Sequence, residues 1–220
     1  MTKCLLSYPR SGNHLVRFFI ELLSEIPTIG CMDNKKDIMI CMNTFTEVIP
    51  FNISQYNIDS CYYKYHHIPN NINIDSLIII IRNPNEVLLR YHNNIPIYDN
   101  NPNSCKDYFD ILDYYINFTG KKICFFYEDI ITDKIQFINN LYNFLELDNE
   151  SKKTYVLENL EKLYILSSTG TNRSWEGICS NSCNFYYSKI PIDIKPVFDN
   201  YINTKMKNIK YLFIKNKYNL

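Results

Sequence analysis

The chain contains no alanine, five glycines and one tryptophan in 220 residues. Alanine needs GC-rich codons, whereas the abundant Ile, Asn, Lys, Tyr and Phe come from AT-rich ones. That skew points to a strongly AT-biased genome, viral or protozoan, and removes asparagine richness as a functional signal. Glycine scarcity leaves no room for a long glycine-rich phosphate loop, and Gly-Lys-Ser/Thr occurs nowhere, so the Walker A motif of nucleotide kinases is absent. Surplus charge is lacking too: 23 Lys and Arg balance 23 Asp and Glu. Bulk attraction to nucleic acid or to an anionic membrane is therefore not expected, and any anion must be held by a local site. No apolar run approaches the ~20 residues of a membrane span. The opening "MTKCLLSYPR" has no apolar secretory region, so a reducing, cytoplasmic setting is expected, with the eight cysteines acting as small buried apolar residues. Cys179 and Cys183 stand apart from other ligand types, and no metal site is expected.

What the chain does have is an alternation of strand and helix patterns. Lys3 to Ser7 reads as a short buried strand, and Leu15, Phe18, Phe19, Leu22, Leu23 and Ile26 then repeat at helical spacing until Pro27 and Gly30. Ser60 to His66 reads as a tyrosine-rich strand. Leu77 to Ile81 is a continuous β-branched run, the mark of a strand buried on both faces. Pro84 opens a helix through about Tyr91, since its fixed φ suits the first helical turn. A helix over Asp107 to Phe118 leads to a strand over Lys122 to Tyr127. Helices over Lys134 to Leu145, Ser151 to Leu163 and Ile194 to Ile214 follow, with an irregular stretch from Ser167 to Ser188. This order predicts an α/β fold of three layers, a central parallel β-sheet flanked by helices. No repeat or linker divides it, so residues 1–220 form one expected domain.

The densest chemistry lies in "LLSYPRSGNHL". A strand running through Pro-x-Ser-Gly into an amphipathic helix puts unpaired N–H groups at a helix start, a ready anion cradle. Gly12 permits a tight curl of backbone, and Arg10 adds a charge that cannot be lost.

"SYPRSGNHLVRFFIELL" resembles the 5′-phosphosulfate loop of the sulfotransferases that use 3′-phosphoadenosine-5′-phosphosulfate (PAPS). Two further motifs follow in that family's order. "IIIIRNPNEVLLRYHNN" resembles its 3′-phosphate motif, and "KKICFFYEDI" resembles the strand whose terminal Tyr meets adenine. The resemblance implies the P-loop-like sulfotransferase architecture, PAPS as co-substrate and 3′-phosphoadenosine-5′-phosphate (PAP) as product, without a metal. It implies nucleotide contacts from Arg10, Ser11, Gly12, Asn13, His14, Arg82, Arg90, Tyr127 and Arg173. Departures are plain: Asn13 and His14 replace two Thr, Leu15 replaces an aromatic, and Arg90 stands where a Ser is usual. Of the family's last motif only Arg173-Ser174-Trp175-Glu176-Gly177 remains.

Transfer to a small-molecule or glycan hydroxyl needs a base, and a histidine of near-neutral pKa suits. Lys64-Tyr65-His66 and His67-Ile68-Pro69 each match a family setting for it. Neighbours on a strand point to opposite faces, so one of the two serves; His66 is favoured because Lys-x-His also accounts for Lys64. Arg10 would then steady the departing phosphate. Glu128 and Asp129 are expected to cap or orient the next helix, because acids favour a helix start. Two alternatives stay open: a PAP- or PAPS-binding module without transferase activity, and a nucleotide or adenylylsulfate kinase, the latter disfavoured by the missing Walker A.

Overall fold

A computed structural model describes residues 2–30, 58–91, 103–169, 190, 192 and 195–220. Its centre is a five-stranded, all-parallel sheet of β1 (Lys3–Ser7), β2 (Thr28–Ile29), β3 (Tyr62–Tyr65), β4 (Ser76–Ile81) and β5 (Lys121–Phe126). The spatial order is β2-β3-β1-β4-β5. Nine α-helices surround it among the described residues: α1 (Asn13–Ser24), α2 (Pro84–Tyr91), α3 (Asn103–Asn117), α4 (Tyr127–Thr132), α5 (Lys134–Phe144), α6 (Glu150–Glu158), α7 (Leu160–Thr169), α8 (Lys195–Met206) and α9 (Leu212–Tyr218).

The strands build two cores because successive side chains alternate between sheet faces. Leu5, Ile78 and Ile80 point to one side, where α1 and α4 to α7 cover them. Cys4, Leu6, Leu77, Ile79 and Ile81 point to the other, under α2, α3, α8 and α9. All six residues of β4 are buried, which explains why its sequence shows no alternation. Each isoleucine removed from water there contributes roughly 1.5–3 kcal/mol. The three-layer expectation is met.

Differences from the sequence reading fall at element ends. β2 is two residues after Pro27, too short to leave a pattern. The expected helix over Ser151 to Leu163 is two helices that part at Asn159, whose side chain competes for the Tyr155 carbonyl. The expected final helix is likewise interrupted by a 3-10 turn over Ile209–Tyr211, where the Asn208 side chain accepts from the Lys210 N–H.

β1 sits at the sheet's switch point. It pairs with β3 on one side and β4 on the other, and α1 and α2 leave their strands onto opposite faces. Open parallel sheets bind ligands in the crevice beyond the carboxyl ends of the strands at such a point. Ser7, His66, Arg82 and Tyr127 each end, or directly follow, one of four adjacent strands.

Candidate active site

The first wall of the crevice is the turn after β1. The Ser11 N–H donates to the Tyr8 carbonyl at 3.3 Å, with Pro9 at the second position and Arg10 at the third at φ +71. That is the pattern of a type II turn, whose third position favours glycine. Arg10 occupies it instead, its side chain exposed. Gly12 follows at φ +94 as the start of α1, which has no side-chain cap. The Val16 N–H, bonded to the Gly12 carbonyl, is the first inside the helix, and the amides ahead of it lie outside the ladder. Asn13 Nδ2 donates to Ser7 Oγ at 2.9 Å, tying the first residue of α1 to the end of β1. Half-buried His14 comes next in the helix.

The second wall is the turn after β4. Asn83 caps α2, its Oδ1 accepting from the Asn85 N–H at 2.9 Å, and Pro84 begins the helix. Arg82, 7% exposed, donates from Nη1 to the Arg10 carbonyl at 3.1 Å, so the two turns are bonded. Its guanidinium carbon lies 4.2 Å from the centroid of the Tyr127 ring, a cation–π contact. Tyr127 in turn lies against Gly12: a Cβ there would stand 2.7 Å from Tyr127 Cε2 and nearer still to Cδ2. The missing side chain at Gly12 thus makes room for a tyrosine as well as permitting the turn. With Arg82 on its face and only 5% exposure, Tyr127 serves as the platform between the turns.

His66 follows β3. Its ring Nδ1 lies 2.8 Å from the Ser7 carbonyl oxygen. A carbonyl can only accept, so Nδ1 carries the proton and Nε2 keeps its lone pair. Burial, then the Lys64 ammonium, with smaller contributions from His67 and Arg17, push the imidazole down to about 4, against the Ser7 bond, which raises it. The value lies well below the near-neutral one the sequence suggested, and it leaves the ring neutral at pH 7. His67 is exposed and meets Tyr65 edge-on at 6.5 Å. Both histidines lie just beyond the end of β3, so strand alternation does not set their directions; it is His66 that touches the end of β1.

Two observations define what this crevice suits. Neither Arg10 nor Arg82 has a carboxylate partner among the described residues. Ser11 Oγ, Asn13 Oδ1, Arg82 Nε and Asn85 Oδ1 are buried without a hydrogen-bond partner, and all four belong to these two turns. Buried polar atoms are rarely left so, and a ligand accounts for such a cluster. An anion takes bonds from the Ser11 hydroxyl and Arg82 Nε. The Asn13 amide, turned about its axis, offers it an N–H while the Ser7 hydroxyl donates to Oδ1. Donors and two uncompensated cations fit an anionic ligand such as a phosphate or sulfate ester. Among the described residues no group of three or more His, Cys, Asp or Glu could hold a metal, and no helix is long and apolar enough to cross a membrane.

The structure brings together Arg10, Ser11, Gly12, Asn13, Arg82, Tyr127 and, through Ser7, His66. Arg90 has a helical backbone in α2, while its side chain, like Arg173 and Trp175, lies outside the described residues. Sequence reading missed one buried and one half-buried cluster. Arg17 donates from Nε to Thr28 Oγ1 at 2.6 Å and from Nη2 to the Thr28 carbonyl at 3.1 Å, while Glu21 accepts from the N–H and hydroxyl of the same threonine. An Arg and a Glu four apart, each flanked by apolar residues within the helix, was the available signal. The second cluster centres on Glu128. Its Oε1 accepts from the Asn83 N–H at 3.1 Å and its Oε2 from the Tyr218 hydroxyl at 2.6 Å, so it orients α2 and α9. Glu128 and Asp129 lie in the first turn of α4, a short helix the sequence reading did not separate from the strand before it, and Asp133 caps α5.

The fold is that of the PAPS-dependent sulfotransferases. Mouse sulfotransferase SULT7A1 complexed with PAP matches at a TM-score of 0.56 and 16% identity, covering 98% of this chain and 87% of that one. Retinol dehydratase in a complex with retinol and PAP matches at 0.53 and 14%, covering 94% and 81%. Retinol dehydratase with androsterone and inactive cofactor PAP matches at 0.51 and 13%, with the same coverage. No family model and no curated protein sequence matches the chain.

Proposed function

We propose that the chain is a PAPS-dependent sulfotransferase of one cytoplasmic domain, moving a sulfuryl group to a hydroxyl on a small molecule or glycan. The observation that carries this reading is the pairing of two uncompensated arginines with four orphaned buried polar atoms in two bonded strand-to-helix turns. The fold's likeness to structures holding PAP adds to it.

PAPS supplies the sulfuryl group, whose bond to the 5′-phosphate breaks as one to the acceptor oxygen forms. Arg10, Ser11, Asn13 and the first amides of α1 face the 5′ side and neutralise the departing phosphate; Arg10 cannot lose its proton, so it stabilises charge and donates none. Arg82, with Arg90 two helical turns further along, takes the 3′-phosphate, and the edge of Tyr127 borders the base. His66 Nε2 accepts the acceptor proton, its ring fixed by the Ser7 carbonyl through Nδ1. Positioning and charge do most of the rest, in line and without a covalent enzyme intermediate, as in phosphoryl transfer.

The test is calorimetry with PAP in EDTA, followed by transfer from sulfur-labelled PAPS across a panel of phenols, alcohols and sugars. Binding that appears only when magnesium is restored overturns the reading. PAP binding with no transfer to any acceptor reduces it to a nucleotide-binding module.

A further inference from the structure

The turn that carries Arg82 is held by groups outside it. The Tyr108 hydroxyl of α3 donates to the Arg82 carbonyl at 2.9 Å, and Glu128 of α4 takes the next N–H, that of Asn83. Glu128 needs both oxygens for this, because its second one accepts from Tyr218 at the end of α9. Tyr218 is itself fixed, its ring edge-on to Phe126 at 5.9 Å, and Lys217 beside it pairs with Asp129 and lies over the Phe126 ring. Burial and the facing carboxylate push the Tyr218 phenol up, so it remains a donor.

We infer that Glu128 and Tyr218 are positioning residues for the nucleotide: through them α9 sets the Arg82–Asn83 turn against the phosphate loop and so governs preference for a 3′-phosphate. This rests on the PAP reading above. A carboxylate gripped at both oxygens has one orientation, whereas one that has lost its phenol can swing and carry the Asn83 amide with it. Residues 90 positions apart would then act on a phosphate that neither touches.

The experiment measures PAP and adenosine 5′-phosphate affinities, which differ by the 3′-phosphate, for wild type, Tyr218→Phe, Glu128→Ala, Glu128→Gln and Glu128→Ala/Tyr218→Phe. Loss of one charged hydrogen bond predicts PAP weakening about fivefold in Tyr218→Phe, with adenosine 5′-phosphate changed less than twofold. Glu128→Ala is expected to lose about tenfold for PAP, and the double variant no more, because the two residues act through one another. Glu128→Gln keeps an acceptor for the Asn83 N–H and falls between; it and Tyr218→Phe complete the cycle should Glu128→Ala not fold. Equal losses for both ligands, or a lower melting temperature with PAP affinity intact, overturn the inference alone. A wild type that binds neither ligand removes the PAP reading and this inference with it.

Discussion

Arg82 reaches across 72 residues of sequence to donate from Nη1 to the main-chain carbonyl of Arg10, 3.1 Å away. A guanidinium bonded to the backbone of a second arginine puts two permanent charges in neighbouring turns. Arg82→Ala should therefore weaken PAP much more than adenosine 5′-phosphate. A charged hydrogen-bonded contact is worth roughly 1.5–3 kcal/mol, so about tenfold or more is expected. Calorimetry with both ligands decides it, and equal losses would place Arg82 elsewhere than at the 3′-phosphate.

Arg10 holds a backbone conformation that suits glycine, at φ +71. Arg10→Gly should relieve about 1 kcal/mol of strain and leave the fold as stable or more so. The same change removes the charge from the phosphate loop, so PAP affinity should fall about tenfold. A stability gain with binding lost separates the roles of backbone and side chain. Unchanged affinity would show that Arg10 faces no phosphate.

Gly12 is closed to any side chain by two causes acting together, its φ of +94 and the Tyr127 ring. Gly12→Ala should cost about 2–3 kcal/mol in urea unfolding. In a Tyr127→Ala background the cost should drop toward the ~1 kcal/mol of backbone strain alone. Full additivity of the two substitutions would mean that the ring does not set the constraint.

His66 should titrate far from an ordinary histidine. Its ring C–H resonances are expected to move near pH 4 and not near the ordinary histidine value of 6.5, and Lys64→Met should raise that midpoint by removing a repelling charge. Between those pH values the unfolded chain binds the extra proton and the folded chain does not. His66 therefore subtracts stability progressively as pH falls from 6.5 toward 4. As the base, it should give kcat/KM an acidic limb near pH 4 and a plateau above. His66→Ala should remove that limb and lower the chemical step by ~10² or more with PAP affinity intact, while His67→Ala is mild. Reversed effects would move the base to His67.

Much of this site can be read from the sequence because turn chemistry is local. Pro9, Gly12, Asn13 and Pro84 declare their conformations by residue type, and the run from Leu77 to Ile81 declares a strand covered on both sides. What depends on distance cannot be read that way. Thr28 gives no sign that Arg17 and Glu21 will close on it, and nothing near Glu128 points to Tyr218. The same holds for His66: its residue type suggests a near-neutral base, whereas the burial that lowers it comes from where β3 ends beside β1.

The two apolar cores share no side chain, because the sheet stands between them. The turn after β1 runs into the helix of one core and the Arg82 turn into the helix of the other. A nucleotide bridging those turns would rivet one layer to the other from outside. Amides of α1 and α2, which belong to different cores, should then slow their exchange with deuterated solvent together on addition of PAP.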